Sequence, residues 1–190
     1  MIGVKERGQV DDDCRDEFCA SRDELPPTSN AEEAVESLKS KLTSDNWEEV
    51  CHGLVQIRGF TKLYVSTTGP KLDCLIPLIV GCLSSLRSAV VKAALTCVED
   101  LIFTLKSNIK YFVDGTSSCI LLALMERSSF DKKFIKEQAH TVLKLLIATM
   151  PPAFAIKAAL PLTTHSRPQF RAQVAFTLDF ALQMVTKIEV

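Results

Sequence analysis

The chain has 190 residues, enough for one domain of ordinary size, and 47% of them are hydrophobic, so a sizeable core can form. The formal net charge of −1 argues against nucleic-acid binding, which usually needs a strongly basic domain. The longest apolar run, residues 74–83, is too short to span a membrane, and no signal-peptide pattern follows the charged N-terminus. With an odd count of seven cysteines, we expect a reduced, intracellular, soluble protein.

Residues 1–28 form an acidic segment that differs in composition from the rest of the chain. They hold four basic and eight acidic side chains, a net charge of −4, and they end in two prolines. We expect this segment to be a disordered tail, because it has few large apolar residues. Cys14 and Cys19 lie here without a nearby histidine or third cysteine, so a tetrahedral zinc site is not predicted.

From residue 29 onward the pattern is helical. Ser29 and Asn30 can cap a first helix, in which Val35, Leu38 and Leu42 recur at helical spacing. Further helices are predicted over 46–64, 70–84, 87–106, 109–127, 132–149, 152–162 and 168–187. We expect Pro77 and Pro161 to kink or stop their helices.

The predicted helices repeat as pairs. Three sets of four residues align at spacings of 40, 45 and 35: Val50, Val90, Ile135 and Phe170; then Leu54, Ala94, Ala139 and Val174; then Thr61, Leu101, Leu146 and Ala181. A helix–turn–helix unit of about 40 residues is the period of HEAT and armadillo repeats. The sequence therefore predicts an all-α solenoid of about four HEAT-type units over residues 29–190. Thr61 is the one polar residue among the twelve, which is typical of a terminal unit.

The sequence shows no catalytic constellation. His52, His140 and His165 are scattered, and neither a metalloprotease motif nor a glycine-rich phosphate loop is present. We interpret Glu99, Asp100 and Asp114 as part of a solvated helix face, the ordinary place for such charges in a helical repeat. We therefore expect no enzyme activity, no cofactor, no metal and no small-molecule substrate.

The predicted turns carry the more informative residues. Trp47, the only tryptophan, begins a helix after a polar turn, where it can either pack in the core or anchor a partner at the surface. Arg87, the pair Lys132 and Lys133, and Arg167 stand at later helix starts, where the helix dipole does not favour cations. Chance solvation is one interpretation. The other is a basic stripe along one edge of the solenoid that faces an acidic partner.

In its turns this sequence resembles a TOG domain. Residues 44–49, SDNWEE, are similar to the first turn of TOG domains, and residues 83–94, LSSLRSAVVKAA, to the second turn and helix in the CLASP and crescerin (TOGARAM) families. Residues 134–139, FIKEQA, resemble their third, and residues 149–174 look most like the crescerin branch. The resemblance covers residues 30–187. TOG domains usually hold six HEAT units, so this chain resembles a shortened relative or a fragment.

The resemblance implies binding to tubulin or microtubules through the turn edge, with Trp47, Arg87, Lys132, Lys133 and Arg167 as the contact residues. It implies a role in microtubule organisation or dynamics in the cytoplasm and cytoskeleton, with cilia and axonemes as the location for a crescerin-like protein. The alternative is a HEAT-repeat scaffold that binds a protein other than tubulin.

Overall fold

A computed structural model describes residues 31–63, 69–105, 120–130 and 132–188. These residues form eight α-helices and one short 3₁₀ helix, with no strand among them. The α-helices are α1 (Ala31–Leu42), α2 (Trp47–Leu63), α3 (Gly69–Leu83), α4 (Ser88–Leu105), α5 (Ile120–Phe130), α6 (Lys133–Thr149), α7 (Pro152–Ala159) and α8 (Pro168–Ile188). The predicted all-α fold is confirmed. The predicted disordered tail, residues 1–28, lies outside the described residues.

The helices stack as pairs, in two layers. The second helices α2, α4 and α6 pack side by side, as do the first helices α1, α3 and α5. The last pair is turned relative to the others, because α8 packs against both α5 and α6 and α7 packs mainly on α8. No helix of the described segments has the length and apolarity needed to cross a membrane.

The core contains every position of the predicted repeat. All twelve aligned residues, from Val50 to Ala181, are at most 7% exposed. Thr61 is fully buried among them, and its hydroxyl donates a hydrogen bond of 2.5 Å to the carbonyl oxygen of Ile57, one turn earlier in the helix. A polar side chain is therefore tolerated in this core because its hydrogen bond is made within its own helix.

One helix differs from its predicted bounds, and another is not stopped by its proline. Helix α5 extends to Phe130, three residues beyond the predicted end at 127, and the predicted stretch 109–119 lies outside the described residues. Helix α3 continues for six residues beyond Pro77. Proline removes only one backbone donor, and the burial of Leu75 and Ile79 on the same helix holds both halves against the core. Pro161 behaves as expected, in the 3₁₀ turn that ends α7.

The predicted solvated carboxylate face is wrong for Asp100. Its side chain is only 13% exposed and lies 2.5 Å from Nε of Arg58, whose side chain is 3% exposed. The pair joins α2 to α4, so it links two neighbouring units. Burial raises the pKa of the adjacent Glu99, the Asp100 carboxylate raises it further, and the Arg58 guanidinium lowers it. Asp114 lies outside the described residues.

The described cysteines divide into two groups. Because they lie among apolar residues at helical spacing, the sequence predicts buried thiols at Cys51, Cys74, Cys82, Cys97 and Cys119. Cys51, Cys82 and Cys97 are buried, and burial raises the pKa of Cys82 to about 11, whereas Cys119 lies outside the described residues. Cys74 contradicts the expectation because it is exposed. It shares the outer face of α3 with Pro77, whereas the next residue, Leu75, faces the core.

Candidate partner-binding edge

The turn before each second helix has the same backbone arrangement. The carbonyl oxygens of Asn46, Arg87, Lys132 and Arg167 each accept a hydrogen bond of 2.9 to 3.2 Å from the backbone N–H four residues later. Each of these residues is therefore the N-cap of its helix. We call the surface formed by residues 43–47, 84–88, 132–133 and 163–167 the turn edge.

Three of the four turns are closed by the same kind of side-chain contact. Ser44 Oγ accepts from the N–H of Asn46 at 3.1 Å, and Ser85 Oγ accepts from the N–H of Arg87 at 3.2 Å. In the fourth turn, Nδ1 of His165 accepts from the N–H of Arg167 at 3.2 Å. This local hydrogen bond, typical of ST and Asx turns, fixes the backbone of the turn just before the helix begins. His165 thus closes a turn.

The structure brings the predicted cations to equivalent places. Arg87, Lys132 and Arg167 occupy the N-cap position in the second, third and fourth units, and Lys133 is the first helical residue after Lys132. All four side chains are exposed. N-cap positions favour Ser, Thr, Asp or Asn, and the positive end of the helix dipole disfavours cations. Only the first unit has an ordinary cap. Its N-cap residue, Asn46, is uncharged, and its side-chain oxygen Oδ1 accepts a hydrogen bond from the N–H of Glu48 at 3.0 Å.

Trp47 combines the two predicted roles. Its side chain is half-buried and packs against the core, while the guanidinium carbon of Arg87 lies 5.9 Å from the centre of its ring. That distance suits a cation–π interaction, which links the first turn to the second. Trp47 is therefore neither a fully buried core residue nor a free-standing surface anchor.

A groove of about 470 Å³ lies between the first and second turns. Trp47, Arg87, Asp45 and Leu86 border it, and most of the remaining lining is apolar: Leu42, Val50, Pro77, Leu78, Cys82 and Val90. Leu86 is fully exposed at its rim, with a relative accessibility of 102%. No neighbour among the described residues covers this large apolar side chain, so Leu86 is a candidate contact for a partner.

Sequence reasoning did not single out three residues that lie on the turn edge or bind its backbone. Leu86 is one of them. Arg127 donates from Nη2 to the carbonyl oxygen of Ser85 at 3.3 Å, and Arg171 donates from Nη1 to the carbonyls of His165 and Ser166 at 2.8 and 3.0 Å. Arg127 lies 42 residues after Ser85, about one repeat, and that spacing is the signal that could have identified it.

The charge of the turn edge changes sign along its length. The first turn carries the exposed carboxylates Asp45, Glu48 and Glu49, and Glu49 accepts a 2.6 Å hydrogen bond from Ser44. The later turns carry the cations described above. Lys132 Nζ also reaches back 3.0 Å to the hydroxyl of Ser88, which ties the third turn to the second. A partner with an acidic surface is favoured at the later turns and disfavoured at the first.

The other sequence candidates show no reactive geometry. His140 is half-buried against the ring of Phe176, with ring centroids 4.4 Å apart, and burial together with the nearby Lys144 lowers its pKa. This is the environment of a packing residue. Over the described ranges, no group of three potential metal ligands comes together.

Comparison with known proteins identifies a family and two relatives. The family described as "CLASP N terminal" matches residues 28–175. "TOG array regulator of axonemal microtubules protein 1" of Mus musculus is 26% identical over 137 residues, 72% of this chain and 8% of the relative. The protein of the same name from Homo sapiens is 28% identical over 133 residues, 70% of this chain and 8% of the relative. The chain thus aligns with under a tenth of these long relatives. Because the family match covers more than half of the chain, the chain belongs to the CLASP N-terminal family.

Proposed function

We propose that this chain is a TOG-like module that binds tubulin or microtubules through its turn edge. The observation that carries the proposal is the placement of Arg87, Lys132 and Arg167 at the same N-cap position in three successive units. Family membership and the names of the relatives, which are regulators of axonemal microtubules, support the choice of partner.

The cations have a physical reason to act on a partner. At an N-cap they give up the stabilisation of about 0.5 to 2 kcal/mol that Ser, Asp or Asn would supply there. The turns of stacked repeats line one edge, and we propose that these cations form a row along it. Such a row complements an acidic protein surface and speeds its approach, an effect that salt screens beyond ~10 Å at 0.1 M.

The first two turns supply aromatic and apolar contact surface in addition to charge. Trp47 and Leu86 border the groove and offer aromatic and apolar surface next to Arg87. Trp and Arg are the residue types that most often dominate the energy of an interface. We propose that the groove anchors the partner and that Lys132, Lys133 and Arg167 orient it. On this proposal the chain is a binding module and not an enzyme, it needs no cofactor, and it acts on the cytoskeleton, with axonemal microtubules as the favoured location.

The test is binding of the purified chain to tubulin. Co-elution with free tubulin in size-exclusion chromatography and co-sedimentation with microtubules would be measured on the same preparation. The double variant Lys132→Ala with Lys133→Ala should weaken binding. The matched control, Lys144→Ala with Lys157→Ala, removes the same charge from exposed sites away from the turns and should bind like the wild type. If the wild type neither co-elutes nor co-sediments, the partner is a different protein.

A further inference from the structure

Gly81 lines the groove at a position where the chain itself does not need a glycine. It lies inside α3, which continues for two more residues, and its backbone does not adopt the left-handed conformation that favours glycine. Apart from its own helix backbone and its two chain neighbours, a Cβ atom built there would meet no atom of the described residues within 4 Å. Because glycine is among the least favourable residues in a helix interior, neither packing within the described residues nor backbone geometry accounts for it.

The space that Gly81 leaves is part of the groove. Pro77, Leu78 and Cys82 of the same helix line the groove with it, and their spacing places all four residues on one face of α3. The missing side chain lets a group from outside the chain approach the backbone of α3. The volume of the groove, about 470 Å³, falls within the range of roughly 300 to 1,000 Å³ that is typical of ligand sites. The groove can therefore receive a large apolar side chain of a partner.

The two turns that border the groove carry opposite charges. Among the described residues that line it, only Asp45 of the first turn and Arg87 of the second are charged, and both are exposed. Within the described part of the chain, neither forms a salt bridge with another side chain, and Arg87 lies over the ring of Trp47. Glu48 and Glu49 add exposed negative charge beside the first turn. A uniformly acidic occupant is therefore repelled at the first turn, and a uniformly basic one at the second.

We propose that the groove receives a protein segment in which one large apolar side chain stands between a basic and an acidic residue. The apolar side chain packs between Trp47 and Leu86 and extends to Gly81. The basic residue of the segment faces Asp45, and its acidic residue faces Arg87. Gly81 is then a specificity-determining residue, because any larger side chain in its place fills the space that the partner occupies. That the segment belongs to tubulin rests on the function proposed above, whereas the chemistry of the groove does not.

Capped tripeptides test the groove without tubulin. Trp47 is the only tryptophan and borders the groove, so its indole N–H peak reports binding in an NMR titration of the full-length chain. The better of the two mixed peptides, acetyl-Lys-Phe-Glu-amide and acetyl-Glu-Phe-Lys-amide, should shift this peak with a dissociation constant on the order of 1 mM. Acetyl-Glu-Phe-Glu-amide and acetyl-Lys-Phe-Lys-amide should each bind about twofold to fivefold more weakly at low salt, because each loses one favourable charge contact.

Gly81→Met places a side chain in the groove and should raise the dissociation constant of the mixed peptide about tenfold or more. Its melting temperature should hold or rise by up to about 4 °C, because methionine is a better helix former than glycine. Two controls should titrate like the wild type: Gly81→Ala, with a short side chain at the same place, and Ala175→Met, at an exposed site of α8. An unshifted Trp47 peak, equal affinity for all four peptides, or wild-type titration by Gly81→Met would each overturn the proposal.

Tubulin affinity forms a separate arm, in which Asp45→Asn is the most informative variant. If the bound segment presents a basic residue to Asp45, this variant binds tubulin about twofold to fivefold more weakly than the wild type. A uniformly acidic surface would bind the variant more tightly, and that result would overturn the proposal. Peptide binding by a wild-type chain that does not bind tubulin would refute the proposed function and leave the chemistry of the groove standing.

Discussion

The buried ion pair between Arg58 and Asp100 gives a sharp test of what joins the first two units. In Asp100→Asn the side chain keeps its size but loses its charge, and the Arg58 guanidinium stays 3% exposed. Removing one partner of a buried pair usually costs about 3 to 5 kcal/mol, because the remaining charge is uncompensated. We expect the lower end, about 3 kcal/mol, because Glu99 stays close enough for Arg58 to lower its pKa.

Urea denaturation measures this loss directly, and thermal melting should show a drop of about 6 to 12 °C for a chain of this length. The exposed pair Lys133 and Glu137, 4.0 Å apart, is the control, and Glu137→Gln should cost under about 1 kcal/mol. Replacing both buried partners, Arg58→Met with Asp100→Leu, should recover most of the stability, because no charge is then left in the core. If Asp100→Asn costs no more than the control, the pair does not hold the units together.

Four further predictions concern the edge, the thiols and pH. Lys132→Ala with Lys133→Ala should weaken tubulin binding, more at low salt, while the melting temperature holds or rises slightly, since cations leave helix N-termini. Trp47→Ala should lower both the affinity for tubulin and the stability of the fold, because the ring is half-buried against the core and also borders the groove. Melting and binding would be measured on the same samples, and a fall in only one of the two quantities would refute this prediction. Native maleimide labelling should modify Cys74 rapidly and the three buried thiols only after denaturation. The pKa of His140 is lowered in the fold, so the unfolded chain binds its proton first as pH falls; stability should therefore decline below pH ~6.5, and less in His140→Gln.

Positions fixed by helical periodicity were predictable from the sequence. Val50, Val90, Ile135 and Phe170 are all buried as the repeat indicates, because the spacing of apolar residues alone decides which face of a helix is inside. The N-cap positions of the cations followed from the same alignment. Cys74 was placed wrongly because it lies in a continuous apolar run, where periodicity gives no sign of the outer face.

Contacts between different helices were not predictable in this way. Arg58 and Asp100 are 42 residues apart, and each alone is typical of a solvated position. The dual role of Trp47 depends on Arg87 of the next turn, and the rotated last unit depends on how α8 packs on α5. Such features arise from tertiary packing, for which a single sequence offers only the repeat spacing as a guide.

The spacing of these inter-unit contacts has a consequence for synthesis on the ribosome. Arg58–Asp100, Ser85–Arg127 and Thr96–Gln138 are each 42 residues apart, so the second unit is tied to the first and the third unit to the second. In repeat proteins, stability is carried by such nearest-neighbour interfaces. The nascent chain can therefore fold vectorially, adding one turn to the edge as each new pair of helices emerges.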